Sequence, residues 1–166
     1  MVVYTLVSVR EATDALVAML RDVIDPPLSP DPTDATDGVH AGQAPGNPPA
    51  DRLGVHPYAV VYADPGAAEP RFTGVEGALT VTWQITCVGG TQNRCLSAVD
   101  RVRAALHLAR VQVPGGPSSG TLAPPTGYTP GPVRRDPERT PQGAEQPRFF
   151  VPLQYRATFT TGAGGS

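Results

Sequence analysis

Apolar residues recur at helical spacing in two stretches of the chain, residues 9–24 and residues 91–108. The apolar face of the first stretch consists of Ala12, Leu16, Met19, Leu20 and Val23. The apolar face of the second consists of Cys95, Val99, Val102 and Leu106. Ser8 and Glu11 precede the first face at the spacing of a capping box, and Asp25-Pro26-Pro27 follows it with residues that stop a helix. The pattern therefore predicts two amphipathic helices.

Alternation of apolar and polar residues predicts the strands, most clearly over residues 79–87. There the apolar side consists of Leu79, Val81, Trp83, Ile85 and Cys87, and the polar side of Thr80, Thr82, Gln84 and Thr86. Shorter strands are predicted over residues 58–63 and 111–113, and a long alternating one over residues 148–161. Because Pro152 has no N–H to donate, the last strand is expected to lie at a sheet edge, or to carry a bulge, at that residue.

Two stretches lack either period and hold 16 of the 20 prolines, namely residues 25–56 and residues 114–147. Proline fixes φ and removes a donor, so neither stretch can form a long helix or a central strand. We expect both to be long loops, which in a small domain are functional or disordered. The tail of residues 162–166, rich in glycine, is expected to be disordered.

The predicted order of elements is α-β-β-α-(β)-β within one domain of residues 1–166. This order indicates an α+β fold. We expect a twisted, mostly antiparallel sheet of about four strands, with both helices packed on its apolar face and two long Pro/Gly-rich loops.

Composition and charge narrow the classes of function. The net charge is −2 with a pI of about 5.9, so the chain lacks the basic field that dominates nucleic-acid binding. All 13 basic residues are arginine, whose planar, forked contacts suit subunit interfaces. Cys87 and Cys95 fall on apolar faces and are expected to be buried free thiols.

The chain shows no targeting segment. Its first residues lack the basic start and apolar stretch of a signal peptide. No stretch approaches the ~20 apolar residues that a membrane span needs. We therefore expect a soluble protein, with no membrane partner, that is made in a reducing cytoplasm.

Two glycine-containing patterns are candidates for a catalytic or an anion-binding site. Residues 116–120 match G-x-S-x-G around Ser118, but the Thr-Leu-Ala-Pro-Pro that follows cannot readily start the helix that a nucleophile elbow requires. Gly89-Gly90-Thr91 joins a strand to a helix and could expose amides to an anion, but the phosphate-binding glycine motifs are absent. A tight turn with Thr91 or Asn93 as N-cap explains these residues fully.

Metal ligation and catalysis are not expected either. The three histidines have no second ligand at metal-binding spacing: His40, His56 and His107. The acidic stretch of Asp25, Asp31, Asp34 and Asp37 lacks the glycine and the final glutamate of a calcium loop, so a solvated, flexible acidic loop is the better interpretation. We expect no catalytic residue, no cofactor and no bound metal.

Basic residues near the end of the chain are the candidate contact sites. They are Arg134, Arg135 and Arg139 close to Tyr128, together with Arg148 and Arg156 on the last predicted strand. Basic residues beside an aromatic one can contact nucleic acid. Asp136, Glu138 and Glu145 are interleaved with them, however, and a mixed-charge patch favours a protein contact, in which charges fix register and specificity.

Four segments resemble the tail-terminator proteins of long-tailed, siphovirus-type phages of actinobacteria. They are YAVVYADPG of residues 58–66, VTWQITCVG of residues 81–89, AVDRVRAAL of residues 98–106, and the closing strand FFVPLQYRATFT that begins at Phe149. The resemblance covers the predicted ordered core and leaves both long loops unmatched.

The resemblance implies a structural virion protein that forms a hexameric ring. Such a ring caps the tail tube, ends its polymerisation and joins the tail to the head-completion proteins at the tail–head junction. The implied partners are further copies of the chain, the major tail tube protein and the neck proteins, while DNA passes through the lumen without sequence-specific binding. We hypothesise that residues 114–147 make inter-subunit or tail-tube contacts.

Two other functions stay open at this point. A neck or head-closure adaptor ring would share the same size and composition. A monomeric ligand-binding or enzymatic α+β domain would instead need a deep pocket with convergent polar groups, and the sequence offers no set of residues to line one.

Overall fold

The computed structural model describes residues 7–64, 67–69, 78–107, 109–114, 119–139 and 145–160. It contains two helices and ten strands within these ranges. The helices are α1 (Val9–Val23) and α2 (Gln92–Leu106). The strands are β1 (Val39–Ala41), β2 (Ala50–Asp51), β3 (Gly54–Val55), β4 (Tyr58–Ala63), β5 (Ala67–Glu69), β6 (Ala78–Gly89), β7 (Arg110–Gln112), β8 (Ser119–Thr121), β9 (Arg134–Arg139) and β10 (Glu145–Thr160).

Both helices begin where side chains satisfy their first free amides. At α1 the Ser8 hydroxyl accepts from the Glu11 amide at 3.1 Å, and the Glu11 carboxylate accepts from the Ser8 amide at 2.9 Å. This confirms the predicted capping box. At α2 the hydroxyl of Thr91 accepts from the Arg94 amide at 3.2 Å, so Thr91 is the N-cap.

The main sheet has six strands and confirms the predicted α+β class. Its order is β1-β4-β6-β10-β9, with β5 pairing to the far end of β6. The pairs are antiparallel except for β1, which runs parallel to β4. Three of the four expected strands lie in this sheet, whereas the short one predicted over residues 111–113 is β7, which pairs with β8 in a separate two-stranded sheet. The sheet gains β1, β5 and β9, which are short or charged and which no alternation of apolar residues marks.

One face of the sheet and both helices enclose the principal core. Trp83 of β6 is fully buried at its centre. The indole Nε1 donates to the Thr13 hydroxyl of α1 at 3.0 Å, and the Phe159 ring of β10 meets it edge-on at a centroid distance of 6.3 Å. The indole therefore joins the helix layer to both central strands while its only polar group is satisfied.

A smaller apolar cluster covers part of the opposite face. It contains the buried residues Val55, Tyr58, Val60 and Val88, with Ala44 and Phe150 packed against it. The hairpin formed by β2 and β3 supplies Val55, which lies over the sheet at this end. Elsewhere on this face the described side chains of the central strands are half-buried or exposed, Gln84 and Arg156 among them, so this face is more open than the one against the helices.

The first of the two predicted loops contains ordered structure. Residues 25–56 include β1, β2 and β3, which are two or three residues long. Between α1 and β1, the acidic residues accept local hydrogen bonds: Asp31 from the Thr33 amide at 2.9 Å, and Asp34 from the Thr36 amide at 3.0 Å. The acidic stretch is thus a series of side-chain-stabilised turns.

The second predicted loop lies along β10. Residues 119–139 include β8 and β9, and the Ala123 backbone exchanges two hydrogen bonds with Arg156, at 3.0 and 2.8 Å. Beside residues 145–150 the sheet edge is therefore β9 rather than β10. At Pro152 the expectation of an unpaired side holds, since the pairing with β9 ends at Phe150 and no described strand continues it there. The tail of residues 162–166 lies outside the described residues.

Gly89 and Gly90 allow three elements to approach closely at the end of β6. A Cβ on Gly90 would lie 2.5 Å from the Val55 amide nitrogen, and one on Gly89 would lie 2.5 Å from the Cys95 amide nitrogen. The Gly90 amide also donates to the Val55 carbonyl at 3.0 Å. These positions need glycine because backbone packs on backbone there.

We expect Gly90→Ala to lower the free energy of unfolding by about 2–4 kcal/mol, because the added methyl group must displace the β2–β3 hairpin. Gly131→Ala is the matched control, since a Cβ there meets no atom within 4 Å. Its effect should stay within about 0.5 kcal/mol. Urea unfolding followed by Trp83 fluorescence measures both, and equal stabilities would contradict the close-packing argument.

Candidate assembly surface

The structure brings the six sequence-predicted contact residues to β10 and its neighbours. Arg134 and Arg135 lie on β9 with exposed side chains. Arg139 is the last residue of β9 and pairs with Glu145, while its side chain lies outside the described part of the structure. The other three, Tyr128, Arg148 and Arg156, contact β10 or belong to it and also make intramolecular contacts.

Tyr128 fastens the segment that precedes β9 onto β10. Its hydroxyl donates to the Pro152 carbonyl at 2.7 Å, and its side chain is half-buried. Burial raises the pKa of the Tyr128 phenol. The residue holds the chain against the side of β10 that no strand covers, so it stabilises the fold as well as lying near the proposed contact surface.

Arg148 belongs to a cluster on the face opposite the helices. Its Nη1 donates to the Tyr58 hydroxyl at 2.7 Å, and its guanidinium carbon lies 5.9 Å from the centre of the Tyr58 ring. The His40 ring meets the same tyrosine edge-on at 5.9 Å. Burial raises the pKa of Tyr58 and lowers that of His40. This cluster ties β1, β4 and β10 together across the sheet.

Arg156 lies further along β10 on the same open face and is exposed. Its guanidinium donates to the Thr126 hydroxyl at 3.3 Å. Around it the open face carries uncharged polar side chains: Thr80, Thr82, Gln84, Gln154 and Thr158. A shallow hollow of about 260 Å³ lies on this face beside Tyr62 and Asp64. The alternation over β6 signalled this polar face in the sequence.

The start of β10 extends beyond the sheet. Its pairing with β6 begins only at Phe149, opposite Gly89, whereas its pairing with β9 begins at Glu145. Among the described strands, residues 145–148 therefore pair with β9 alone and form a two-stranded arm. Two prolines face each other in this arm, Pro137 and Pro147, so this pair of positions contributes no N–H donor.

A groove beside α2 was missed by sequence reasoning. It has a volume of about 450 Å³ and is lined largely by prolines of residues 26–30 and by polar residues of α2. Arg94 donates to Asp51 at 2.6 Å and to the Gly54 carbonyl at 2.9 Å. No local pattern could have signalled the first contact because Arg94 and Asp51 stand 43 positions apart.

The polar groups of this groove are engaged within the chain. Arg101 donates to the carbonyls of Pro26 and Pro27 at 3.3 and 3.1 Å. The hydrogen bond from Arg94 lowers the pKa of Asp51 to about 2, with a further contribution from the Leu53 amide. The groove is thus built from contacts that hold the irregular segment of residues 25–56 against α2.

The other residues that were candidates for metal binding or catalysis do not form a common site within the described residues. The described residues contain no group of three or more His, Cys, Asp or Glu side chains that could hold a metal ion. Ser118 of the G-x-S-x-G match lies outside the described residues. Cys87 and Cys95 are buried free thiols, as expected, and burial raises the pKa of both, that of Cys95 to about 11. Neither described helix has the length and apolar character of a membrane span.

Comparison with known proteins adds one finding. A scan against protein-family models and a search of curated proteins find no match. Among solved structures, a chain from the virion of a native gene transfer agent particle aligns over 92% of this chain and 92% of its own length, with a TM-score of 0.39 and 14% identity. A likeness of this degree carries no argument about function.

Asp51→Asn tests the contact that closes the groove. The folded-state pKa of Asp51 lies below that of an unfolded aspartate, about 4. The carboxylate therefore stabilises the fold above about pH 4, and this contribution is lost as the pH falls towards 2. We expect the variant to melt below the wild type at pH 7, and the two melting temperatures to converge near pH 2.

Asp100→Asn serves as the control, because Asp100 is an exposed aspartate on α2. Calorimetry between pH 7 and about 2 compares the three proteins. A constant difference between Asp51→Asn and the wild type at every pH would show that the side chain acts through something other than its charge.

Proposed function

We propose that this chain is a structural virion protein of the tail-terminator type. In this proposal it forms a ring, six subunits around, that caps the tail tube, ends its polymerisation and joins the tail to the head-completion complex. Its partners are further copies of itself, the tail tube protein and the neck proteins, and DNA passes through the lumen. It acts at the tail–head junction without catalysis or cofactor.

The two-stranded arm is the observation that carries the proposal. Within the part of the chain that the structure describes, residues 145–148 of β10 pair only with β9, and β6 ends before reaching them. A two-stranded ribbon is marginally stable alone in water and gains stability when it packs against something else. An arm that leaves the sheet in this way is suited to contact a neighbouring subunit or the tail tube.

The chemistry of β9, which forms one strand of the arm and continues beside the sheet, supports a protein partner. Arg134, Arg135 and Asp136 are exposed on β9. Charges of both signs on one strand fix register and discourage indiscriminate pairing of the edge. The facing prolines of the arm also discourage such pairing, because they lack the N–H donors that a foreign strand could use.

The ligand-binding alternative has less support. The groove beside α2 is the larger of the hollows described above, yet Arg94 and Arg101 already donate to carbonyls of the chain itself, and Asp51 is bound to Arg94. Small-molecule sites hold polar groups that converge on the ligand. Here those groups converge on the protein's own backbone.

The assay that tests the proposal is tube capping. The chain is added to its cognate tail-tube protein as the tube polymerises, and tube length and ends are recorded by electron microscopy. We expect shorter tubes with a ring at one end, and copurification with tube protein. Binding to portal-side proteins and not to tubes would favour the neck adaptor instead. Tubes of unchanged length and bare ends would contradict the proposal.

The arm itself is tested by replacing residues 137–147 with Asn-Gly, which closes β9 and β10 with a two-residue hairpin turn between Asp136 and Arg148. Capping should be lost, because the arm is absent. The fold should persist, since Leu122 and the other core residues before the arm are retained. A deletion of residues 116–146 would be a poorer test because it would remove the buried Leu122.

Gly131→Ala is the control, because this position lies outside the arm and a Cβ there meets no atom within 4 Å. It should preserve capping. Circular dichroism and thermal melting of each variant establish that it is folded. If the chain without the arm caps tubes as well as the wild type, the arm is not the assembly element.

A further inference from the structure

A second hollow lies where the end of α2 meets β10 and the segment that follows β8. Its volume is about 450 Å³, and three separate parts of the chain line it. The lining includes Arg103, Leu106 and His107 at the end of α2, Leu122 and Pro124 after β8, and Tyr155 of β10. We call this space the α2-end hollow.

Backbone hydrogen bonds hold the walls of the α2-end hollow in place. The Leu122 amide donates to the Ala109 carbonyl at 2.8 Å, and the Ala123 backbone exchanges two hydrogen bonds with Arg156. Tyr155 belongs to the long pairing of β6 with β10. Because each wall is attached to a neighbouring element, the hollow is formed before any ligand arrives, as most small binding sites are.

The polar groups of the lining are of one kind, since they are hydrogen-bond donors without a carboxylate. Arg103 and His107 stand one helical turn apart, and both side chains are exposed. Tyr155 is buried, and burial raises the pKa of its phenol, while the positive charge of Arg103 beside it opposes this rise. The phenol therefore keeps its proton at neutral pH. The described residues of the lining include no Asp or Glu.

This balance differs from that of the groove beside α2, where Arg94 is bound to Asp51. The guanidinium of Arg103 lies instead beside a phenol, whose single oxygen can accept from only part of its five N–H donors. The negative end of the α2 dipole favours cations in the last turn. That effect accounts for Arg103 and His107, but it does not account for the buried hydroxyl that lies beside them.

We propose that the α2-end hollow binds a carboxylate that is attached to an apolar group. Arg103 and the Tyr155 hydroxyl donate to the carboxylate, and His107 is a further donor. Leu122 and Pro124 contact the apolar part. A guanidinium suits a carboxylate because its donors form a planar fork. The apolar walls disfavour a strongly hydrated anion such as inorganic phosphate, which would lose water there without compensation.

This inference goes beyond the proposed ring and does not depend on it. A free organic acid and an acidic side chain of a protein segment offer the same chemistry to the hollow. The tube-capping assay decides the proposed function and the binding experiment decides this site, so the two can fail separately.

Titration with N-acetylleucine and with N-acetylleucinamide tests the site, because the two compounds share an apolar group and differ in the carboxylate. The backbone amide signals of His107 and Ala123 in the full chain, followed by heteronuclear NMR, report binding at the hollow. We expect the acid to shift both signals saturably. The amide compound should bind at least about tenfold more weakly, because it cannot form charge-assisted hydrogen bonds with Arg103.

Two variants assign the roles within the site. Arg103→Gln should weaken binding of the acid at least about tenfold, because it removes the charged donor. Tyr155→Phe keeps the ring and should weaken binding about two- to tenfold. Arg10→Gln is the matched control, because it makes the same change in charge at an 89% exposed arginine of α1. It should bind like the wild type, and thermal melting establishes that each variant is folded.

Two blocked peptides distinguish the sources of the carboxylate, one with the sequence leucine-glutamate-leucine and one with glutamine at the centre. Tighter binding of the glutamate peptide than of N-acetylleucine would support a protein segment as the occupant, and the reverse order would support a free acid. Four results would overturn the inference: no saturable shift at the hollow, equal binding of the acid and its amide, wild-type affinity in folded Arg103→Gln, or displacement of the acid by an equal concentration of inorganic phosphate.

Discussion

The long antiparallel pairing of β6 with β10 is the constraint on which the rest of the structure depends. It joins residues 78–89 to residues 149–160 in an unbroken register. Trp83 and Tyr155 face each other within it, on the side where the helices pack. Because a slip of one residue would turn every side chain to the opposite face, the buried side fixes the register. Each other strand of the main sheet joins one of these two, directly or through β4.

This central pair also decides where the irregular segments go. The segment that leads into β9 follows β10, held at Ala123 by the Arg156 backbone and at Tyr128 by the Pro152 carbonyl. The segment that follows α1 lies against α2 through the Asp51–Arg94 and Arg101 contacts. The proline-rich segments are held in place by their contacts with the sheet and with α2. Because proline lacks an N–H, these segments form few backbone ladders of their own.

The sequence predicted the elements whose own residues show a clear apolar periodicity. The helices, β4 and β6 begin and end within two residues of the predicted bounds, because burial on one side imposes a regular pattern over many residues. β10 begins three residues earlier than predicted, at Glu145 rather than residue 148, since β9 pairs with it there. Strand β9, with the sequence RRDPER, has no apolar alternation, and β1 is only three residues long. These edge strands form because a neighbouring strand pairs with them, so their own sequences carry no recognisable pattern.

The candidate contact residues also differ in how much of their surroundings the sequence could predict. Charge clustering identified Arg134 and Arg135, which are exposed, but it gave no means to distinguish them from Arg148, which is held against Tyr58. That distinction depends on contacts between residues 90 positions apart. Around the groove beside α2, Arg94 and Arg101 are occupied by groups of the chain itself, whereas Arg134 and Arg135 on β9 are exposed. The proposed ring depends on which copy or partner meets this exposed edge, and the exposure of the edge is the property that sequence reasoning alone could not supply.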